Sequence, residues 1–298
     1  MERAAGRSLN EGERREVLDA MINEQLMLQA AERDRITVSE NDVNQQINQM
    51  RTQMVSVIGR QPTDAEFATA VRNQTGLEMP AFREQIRRQM IQQRFLVSRK
   101  QGVIDAIRPP TDTEIQNMFH LTRSQFVRPD TVRLSMIQVP FGPDAASKTR
   151  ARQQAEGLRR EIGTNAARFD EVVLRGQAPN SGFQAGDFGY MPRNLEAAQR
   201  FGQEFMNIAF SLRQGEISQV IEGQGAYQII KVTETYEMKN LGLDDIFQPG
   251  SRVTVREYIA NAMMQERQME TLTRATQELY AELRAGRTFQ VFDSNLRW

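Results

Sequence analysis

Apolar and polar residues alternate over the first hundred positions with the period of an amphipathic α-helix. Start and stop signals agree with this pattern, since Thr63 stands three residues before Glu66, the spacing of a capping box, and Gly76 follows the last apolar position. The sequence therefore predicts an all-helical N-terminal region. The predicted helices span residues 10–34, 37–59, 62–76 and 79–103.

The periodicity changes after Pro109 and Pro110, which cannot continue a helix. From Val132 to Phe141 the chain largely alternates between apolar and polar residues and is rich in branched side chains, the pattern of a β-strand. Two helical stretches follow, then a glycine-rich strand, a helix and two closing strands. This β-α-α-β-α-β-β order predicts a compact α+β module.

A long amphipathic helix is predicted from residue 253 to residue 287, near the end of the chain. We expect it to pack on the N-terminal helices, because its apolar positions need a partner. The overall prediction is an α+β multidomain protein in which a C-terminal helix completes the N-terminal helical domain. The predicted limits are 1–128 for the helical domain, 129–237 for the inserted module, and 238–298 for the linker and long helix.

Composition removes several classes of function. The chain has no cysteine and one histidine, His120, so neither a cysteine-based metal site nor a catalytic triad is expected. His120 is expected to be a surface or interdomain residue. Net charge is zero and no basic stripe occurs, so we expect no nucleic-acid partner. No apolar run is long enough to span a bilayer, and the polar start has no signal-peptide core.

The stretch AGDFGYM, residues 185–191, places two glycines around an acidic and an aromatic residue. Glycine inside a strand indicates either a bend or a close approach of another group. A glycine-flanked strand in an ordinary sheet is one interpretation. The floor of a binding groove is the other. The stretch GQGAYQ (223–228) resembles a dinucleotide fingerprint only weakly, because a strand and not a helix follows it.

Three stretches together resemble the parvulin family of peptidyl-prolyl isomerases: FDEVVLRGQAPNSGFQAGDFGYM, FMNIAFSLRQGEIS and AYQIIKVTE. The family carries a GG-D-L-G-W-F strand, an E-F-x-x-A-F-x-L-x-x-G-E-I-S helix and turn, and a G-Y-H-I-I-K closing strand, in this order. The resemblance covers residues 131–235. It implies that AGDFGYM is the floor strand of a peptide groove.

The flanking helices resemble those of SurA-type periplasmic chaperones, through VLDAMINEQLMLQAAERDRITVSENDVNQQI and FREQIRRQMIQQR. This likeness implies an ATP-independent chaperone of the periplasm, whose export signal is absent from the sequence given. It implies unfolded exported or outer-membrane proteins as clients, with no cofactor, metal or nucleotide.

The chain departs from the parvulin pattern at its polar positions. Met136 and Gln228 replace the two usual histidines, and Ala178 or Pro179 replaces the usual Asp or Cys. We therefore identify no confident catalytic residue. The apolar positions are kept as large side chains. The predicted substrate-binding residues are Met136, Phe188, Met191, Phe201, Phe205 and Gln228.

Two main functions and one minor alternative remain open. The first is a chaperone whose parvulin module binds peptides but isomerises prolines weakly or not at all. The second is an active peptidyl-prolyl isomerase whose helical flanks deliver substrate, and the third is a structural partner in an envelope complex. The 15 methionines fit either plain core filling or a surface that adapts to many partners.

Overall fold

The computed structural model describes residues 10–178 and 180–286, whose backbone forms two compact units. The first unit ends at Pro109 and resumes at Met264, and the second runs from Pro110 to Met263. Among the described residues, no helix has the length and apolar character needed to cross a membrane.

The first unit is built from helices whose starts are fixed by side-chain caps. The side chains of Asn10, Ser39 and Thr63 each accept a hydrogen bond from the third backbone N–H of the following helix. The acidic side chain at that third position accepts a hydrogen bond from the backbone N–H of the capping residue. These reciprocal bonds satisfy backbone donors that a helix start leaves free. The helices are α1 (Glu11–Arg33), α2 (Glu40–Ile58), α3 (Asp64–Thr75) and α4 (Met79–Asp105).

Two apolar cores hold this first unit together. In one, Met27 of α1 and Phe95 of α4 pack with Ala275 and Leu279, which belong to the long C-terminal helix α10 (Val255–Ala285). The other core joins α2, α3 and the start of α4. Its buried residues are Val43, Ile47, Phe67, Val71, Phe82 and Ile86.

The second unit contains a four-stranded antiparallel sheet with strand order β3-β2-β5-β4 and a separate two-stranded ladder of β1 and β6. Its strands are β1 (Val127–Arg128), β2 (Thr131–Pro140), β3 (Gln184–Pro192), β4 (Ile221–Glu222), β5 (Ala226–Tyr236) and β6 (Lys239–Asn240). Its helices are α5 (Asp112–Thr122), α6 (Ala145–Ile162), α7 (Ala166–Gly176), α8 (Leu195–Phe201) and α9 (Gln203–Ser211).

Both faces of the larger sheet are covered, because alternate side chains of each strand point to opposite sides. Ile137 and Ile229 belong to the core against α6 and α7. Leu134, Met136 and Ile230 belong to the core against α8 and α9. The second of these two faces carries the residues that the sequence selects as a site.

The structure differs from the sequence prediction in the second half of the module. The helix expected over residues 202–212 is α9, and an additional helix, α8, precedes it. Gly202 separates the two helices because it adopts φ +87°, a conformation that interrupts the helical backbone. The strand expected over residues 216–222 is regular only at Ile221–Glu222.

The first turns of α10 lie in the second unit, whereas its later turns pack in the first. Val255 and Ile259 are buried with Ile115 and Phe119 of α5. Ile115 and Phe119 lie within the predicted helical domain of residues 1–128, whereas the structure places them in the second unit. The reason is that α5 exposes an apolar stripe of its own, which the start of α10 covers.

Candidate functional site

The floor of the site is the face of the sheet that α8 and α9 cover. Met136 on β2 lies opposite Ile230 of β5 and Gly186 of β3. Gln228 on β5 shares this face, two residues along the strand from Ile230. Met136 is 3% exposed and Gln228 is 8% exposed. The floor is thus an apolar surface with one amide near its edge.

A β-bulge in β3 places Phe188 at the rim of this floor. Leu134 pairs with Gly189 and Ser135 pairs with Asp187, so that Phe188 is the extra residue between the two pairs. Gly189 adopts φ +90°, which disfavours any residue with a side chain. The glycine after Phe188 is therefore required by the bulge itself.

Three phenylalanine rings run from the rim to the core. The Phe188 ring meets the Phe201 ring edge-on with centroids 5.3 Å apart, and the Phe201 and Phe205 centroids are 5.2 Å apart. Exposure falls along the series: Phe188 is 37% exposed, Phe201 is half-buried and Phe205 is 2% exposed. The first two rings can therefore contact a ligand, whereas the third supports them from below.

An ionic clamp on the opposite face holds the bulge in place. The Arg133 guanidinium donates to Asp187 Oδ2 at 2.6 Å and to Glu234 Oε1 at 2.8 Å, and the Gly189 N–H donates to Asp187 Oδ1 at 3.1 Å. The hydrogen bond from Arg133 is the main cause that lowers the pKa of Asp187. Asp187 is thus held as a carboxylate next to Phe188.

Two tyrosines complete this clamp. Tyr236 donates its hydroxyl hydrogen to Glu234 Oε2 at 2.6 Å, and Tyr190 donates to the same oxygen at 3.1 Å. The bond to Glu234 raises the pKa of Tyr236 to about 12, and the same bond lowers the pKa of Glu234. None of these residues is among those predicted from the sequence to bind substrate. Their only signal there was the acidic and aromatic content of AGDFGYM and of the closing strand.

The structure brings the six predicted substrate-binding residues onto one face of the sheet. Met136, Met191 and Phe205 are nearly buried there, so they form the floor and core of the site. Phe188 and Phe201 form its accessible part, and Gln228 lies in the floor near the β4 edge. Ala178 is exposed in the turn after α7, and Pro179 lies outside the described residues.

None of the six predicted substrate-binding residues has a side chain that exchanges a proton near neutral pH. His120 is exposed on α5, where its ring lies 6.0 Å from that of Phe119. Within the described ranges, no three His, Cys, Asp or Glu side chains come together as metal ligands would. The arrangement suits contact with an apolar peptide.

Gly186 has open space on the groove side. A Cβ built on it would meet no atom within 4 Å, and its backbone does not require glycine. Internal packing therefore gives no reason for the missing side chain. Glycine at such a place allows another backbone to approach closely.

Comparison with known families finds two matches that follow one another along the chain. Residues 3–96 match the SurA-like N-terminal domain, and residues 110–248 match the PPIC-type PPIASE domain. The second match contains the whole four-stranded sheet and both helical layers described above.

The curated relatives are named as chaperones and foldases. Chaperone SurA of Saccharophagus degradans is 26% identical over 78% of this chain and 51% of its own length. Foldase protein PrsA of Clostridium botulinum is 22% identical over 92% of this chain and 72% of its own length. The chain spans about half the length of the SurA relatives it matches.

A solved structure from a study of two SurA-like chaperones, PEB4 and Cj1289 of Campylobacter jejuni, also aligns with the chain. It is 15% identical, with 86% of this chain and 96% of that chain covered, and the TM-score is 0.37. At that score the likeness carries no structural argument.

Proposed function

Because a SurA-like N-terminal domain precedes a PPIC-type peptidyl-prolyl isomerase domain in this chain, we propose that the protein is an ATP-independent chaperone for unfolded polypeptides. A role in assisting protein folding goes with this pair of domains. The groove beside Phe188 and Phe201 would bind an extended apolar stretch of the client. Burial of apolar surface, about 25 cal/mol per Å², rewards such a stretch whatever its sequence.

The observation that carries the proposal is the chemistry of the groove floor. Met136 and Gln228 occupy the positions at which the parvulin resemblance calls for histidine, and both are nearly buried. Neither can transfer a proton, whereas the aromatic rim remains intact. We infer that the groove retains peptide binding and has lost most or all of its catalysis.

An active isomerase is the second candidate, and the fold itself favours it. Prolyl isomerisation faces a barrier of about 20 kcal/mol but breaks no covalent bond, so an apolar groove that desolvates the imide could still lower it. Positioned polar groups add roughly 10²–10⁴-fold to a typical reaction. We therefore expect turnover below that of a parvulin with both histidines.

One experiment on the purified full chain separates the candidates. A proline-isomerisation assay and a light-scattering assay of a denatured outer-membrane protein are run on the same sample without nucleotide. Suppressed aggregation with little or no isomerisation is expected. Ordinary parvulin turnover would favour the isomerase, and an unchanged aggregation curve at equimolar protein would favour a scaffold role.

A double variant tests the inference about the missing histidines. Met136→His with Gln228→His should raise isomerisation while aggregation suppression stays near the wild-type level. Leu174→His is the control, because it places a histidine at an exposed position of α7, which packs on the other face of the sheet. The proposed compartment is the periplasm and the proposed clients are exported or outer-membrane proteins, as the SurA likeness implies.

A further inference from the structure

The helical unit contains a cavity of about 600 Å³ that the parvulin groove does not include. It lies between α2, α3 and the first turns of α4. The residues that form most of its wall are Met50, Met54, Phe67, Ala70, Val71 and Phe82. Cavities of about 300–1,000 Å³ lined by apolar side chains are typical of ligand sites.

The cavity has a rigid floor and an adaptable wall. Phe67 and Phe82 are buried and meet edge-on with ring centroids 6.5 Å apart. Met50 and Met54 stand above them on α2 and are only half-buried. Since methionine is unbranched and polarisable, such a wall adjusts to side chains of different shape.

Charge at this cavity favours an uncharged occupant. None of the described residues that line it carries a charge. At its margins the charged groups are paired with one another: Arg51 with Asp64 at 2.6 Å, and Arg72 with Glu78 at 2.6 Å. A charged occupant would lose hydration against this uncharged wall, whereas an apolar segment gains free energy by leaving water.

We propose that this cavity is a second polypeptide-binding site, which takes large apolar side chains from an uncharged stretch of an unfolded chain. The inference rests on the proposed chaperone function and gives the helical unit a contact of its own with the client. Two sites joined in one chain strengthen binding through effective concentration, even where each contact is weak.

The first test is site-specific photocrosslinking in the full chain. A photoreactive phenylalanine replaces Gln74, an exposed residue of the cavity wall, or Met269, a 71% exposed residue of the same unit. The probe is an unstructured peptide rich in Phe and Leu, and its analogue carries Glu at those positions. We expect several-fold more crosslinking of the apolar peptide at position 74 than at 269, and little of the analogue at either. Equal yields at the two positions would overturn the proposal.

The second test fills the cavity. Ala70→Trp places an indole in the space, and Ala65→Trp adds the same side chain at an exposed position of the same helix. The peptide should bind about tenfold more weakly to the first variant and normally to the second. Thermal unfolding checks that both fold. If Ala70→Trp does not fold, the crosslinking yields decide.

The outcomes keep this proposal separate from the chaperone function. Suppressed aggregation with equal crosslinking at 74 and 269 refutes the cavity site and leaves the chaperone function in place. Selective crosslinking without suppressed aggregation supports the cavity site and refutes the chaperone function. Crosslinks between two copies of the chain in the absence of peptide would show that a second copy is the occupant, which also overturns the proposal.

Discussion

Single residues of the groove divide into those that support it and those that can meet a ligand. Phe205 is 2% exposed and packs among Met136, Met206 and Ile230. Phe188 is 37% exposed, and its ring packs edge-on against the ring of Phe201. The same residue type therefore fills the core at one position and is open to solvent at the other.

Alanine substitutions should separate these two roles. Phe205→Ala should lower the free energy of unfolding by about 3–5 kcal/mol, because a buried ring leaves a cavity. Phe188→Ala should cost about 1 kcal/mol or less, since the side chain is already partly in water. Urea unfolding followed by circular dichroism measures both values, and fluorescence titration measures peptide affinity. Phe188→Ala should weaken peptide binding while the fold persists, and a normal affinity would contradict its place in the site.

The Arg133 clamp predicts a specific dependence of stability on pH. Arg133 lowers the pKa of Asp187 below its ordinary value of 3.8, so the pKa of this carboxyl is lower in the folded than in the unfolded chain. The stabilisation is therefore present above the unfolded pKa and is lost as the pH falls through the folded pKa. The stabilisation should therefore be lost at pH values below about 4.

Removing the clamp should remove this dependence. Arg133→Met should destabilise the protein at about pH 7, and the difference from wild type should be smaller at about pH 3, below the ordinary pKa of an aspartic acid. Asp187→Asn is the matched variant, and the double variant should cost less than the sum of the two. Urea unfolding at both pH values measures the difference. A difference that stays constant with pH would show that this ion pair does not carry the stabilisation.

At the scale of elements, the bulge in β3 determines how the groove is made. Gly189 lies at φ +90° and allows the strand to bulge at Phe188. Gly186 lies in ordinary strand backbone with open space beside it. One glycine is therefore required by backbone conformation, and the other is suited to the approach of a ligand.

Substitution of each glycine by alanine should give opposite results. Gly189→Ala should destabilise the protein by about 1 kcal/mol or more, because alanine is strained at this φ. Gly186→Ala should leave stability nearly unchanged and weaken peptide binding, since its methyl group points to the Met136 face. Thermal unfolding and peptide titration check the two results. Loss of stability in both variants, or normal binding by Gly186→Ala, would contradict the assignment.

At the scale of the molecule, the chain is organised as two units that share one long helix. The first turns of α10 are buried with α5, and the later turns are buried with α1 and α4. Lys100 of α4 also bonds Glu278 and Glu282 of α10, at 3.2 and 2.8 Å. The domain limits of 1–128, 129–237 and 238–298 remain our proposal for how the chain divides functionally.

Two fragments test how independent the parvulin module is. Residues 129–237 should unfold cooperatively, because the sheet and both of its cores lie within this range. Residues 110–263 should be more stable, because they add the cluster of Ile115, Phe119 and Val255. Thermal unfolding of both fragments is the measurement. Absence of a cooperative transition in the shorter fragment would show that this outer cluster is part of the folding unit.

Local pattern determined most of the elements. Helix caps and amphipathic spacing predicted α1 to α4, and single alternation predicted β2, because these signals lie within a few residues of one another. The resemblance selected Met136, Phe188, Phe205 and Gln228. That Met136 and Gln228 stand where the parvulin pattern has histidine also follows from residue identity alone.

Tertiary structure decided the features that depend on pairing between distant segments. The register of β2 with β3 leaves Phe188 in a bulge, and no local signal specifies which residue is the extra one. The partners of Arg133, which are Asp187 and Glu234, come from strands about 50 and 100 residues away. The cavity above Phe67 and Phe82 likewise exists only where α2, α3 and α4 meet. Residue types and periods act locally, whereas register and packing arise only when distant segments come together.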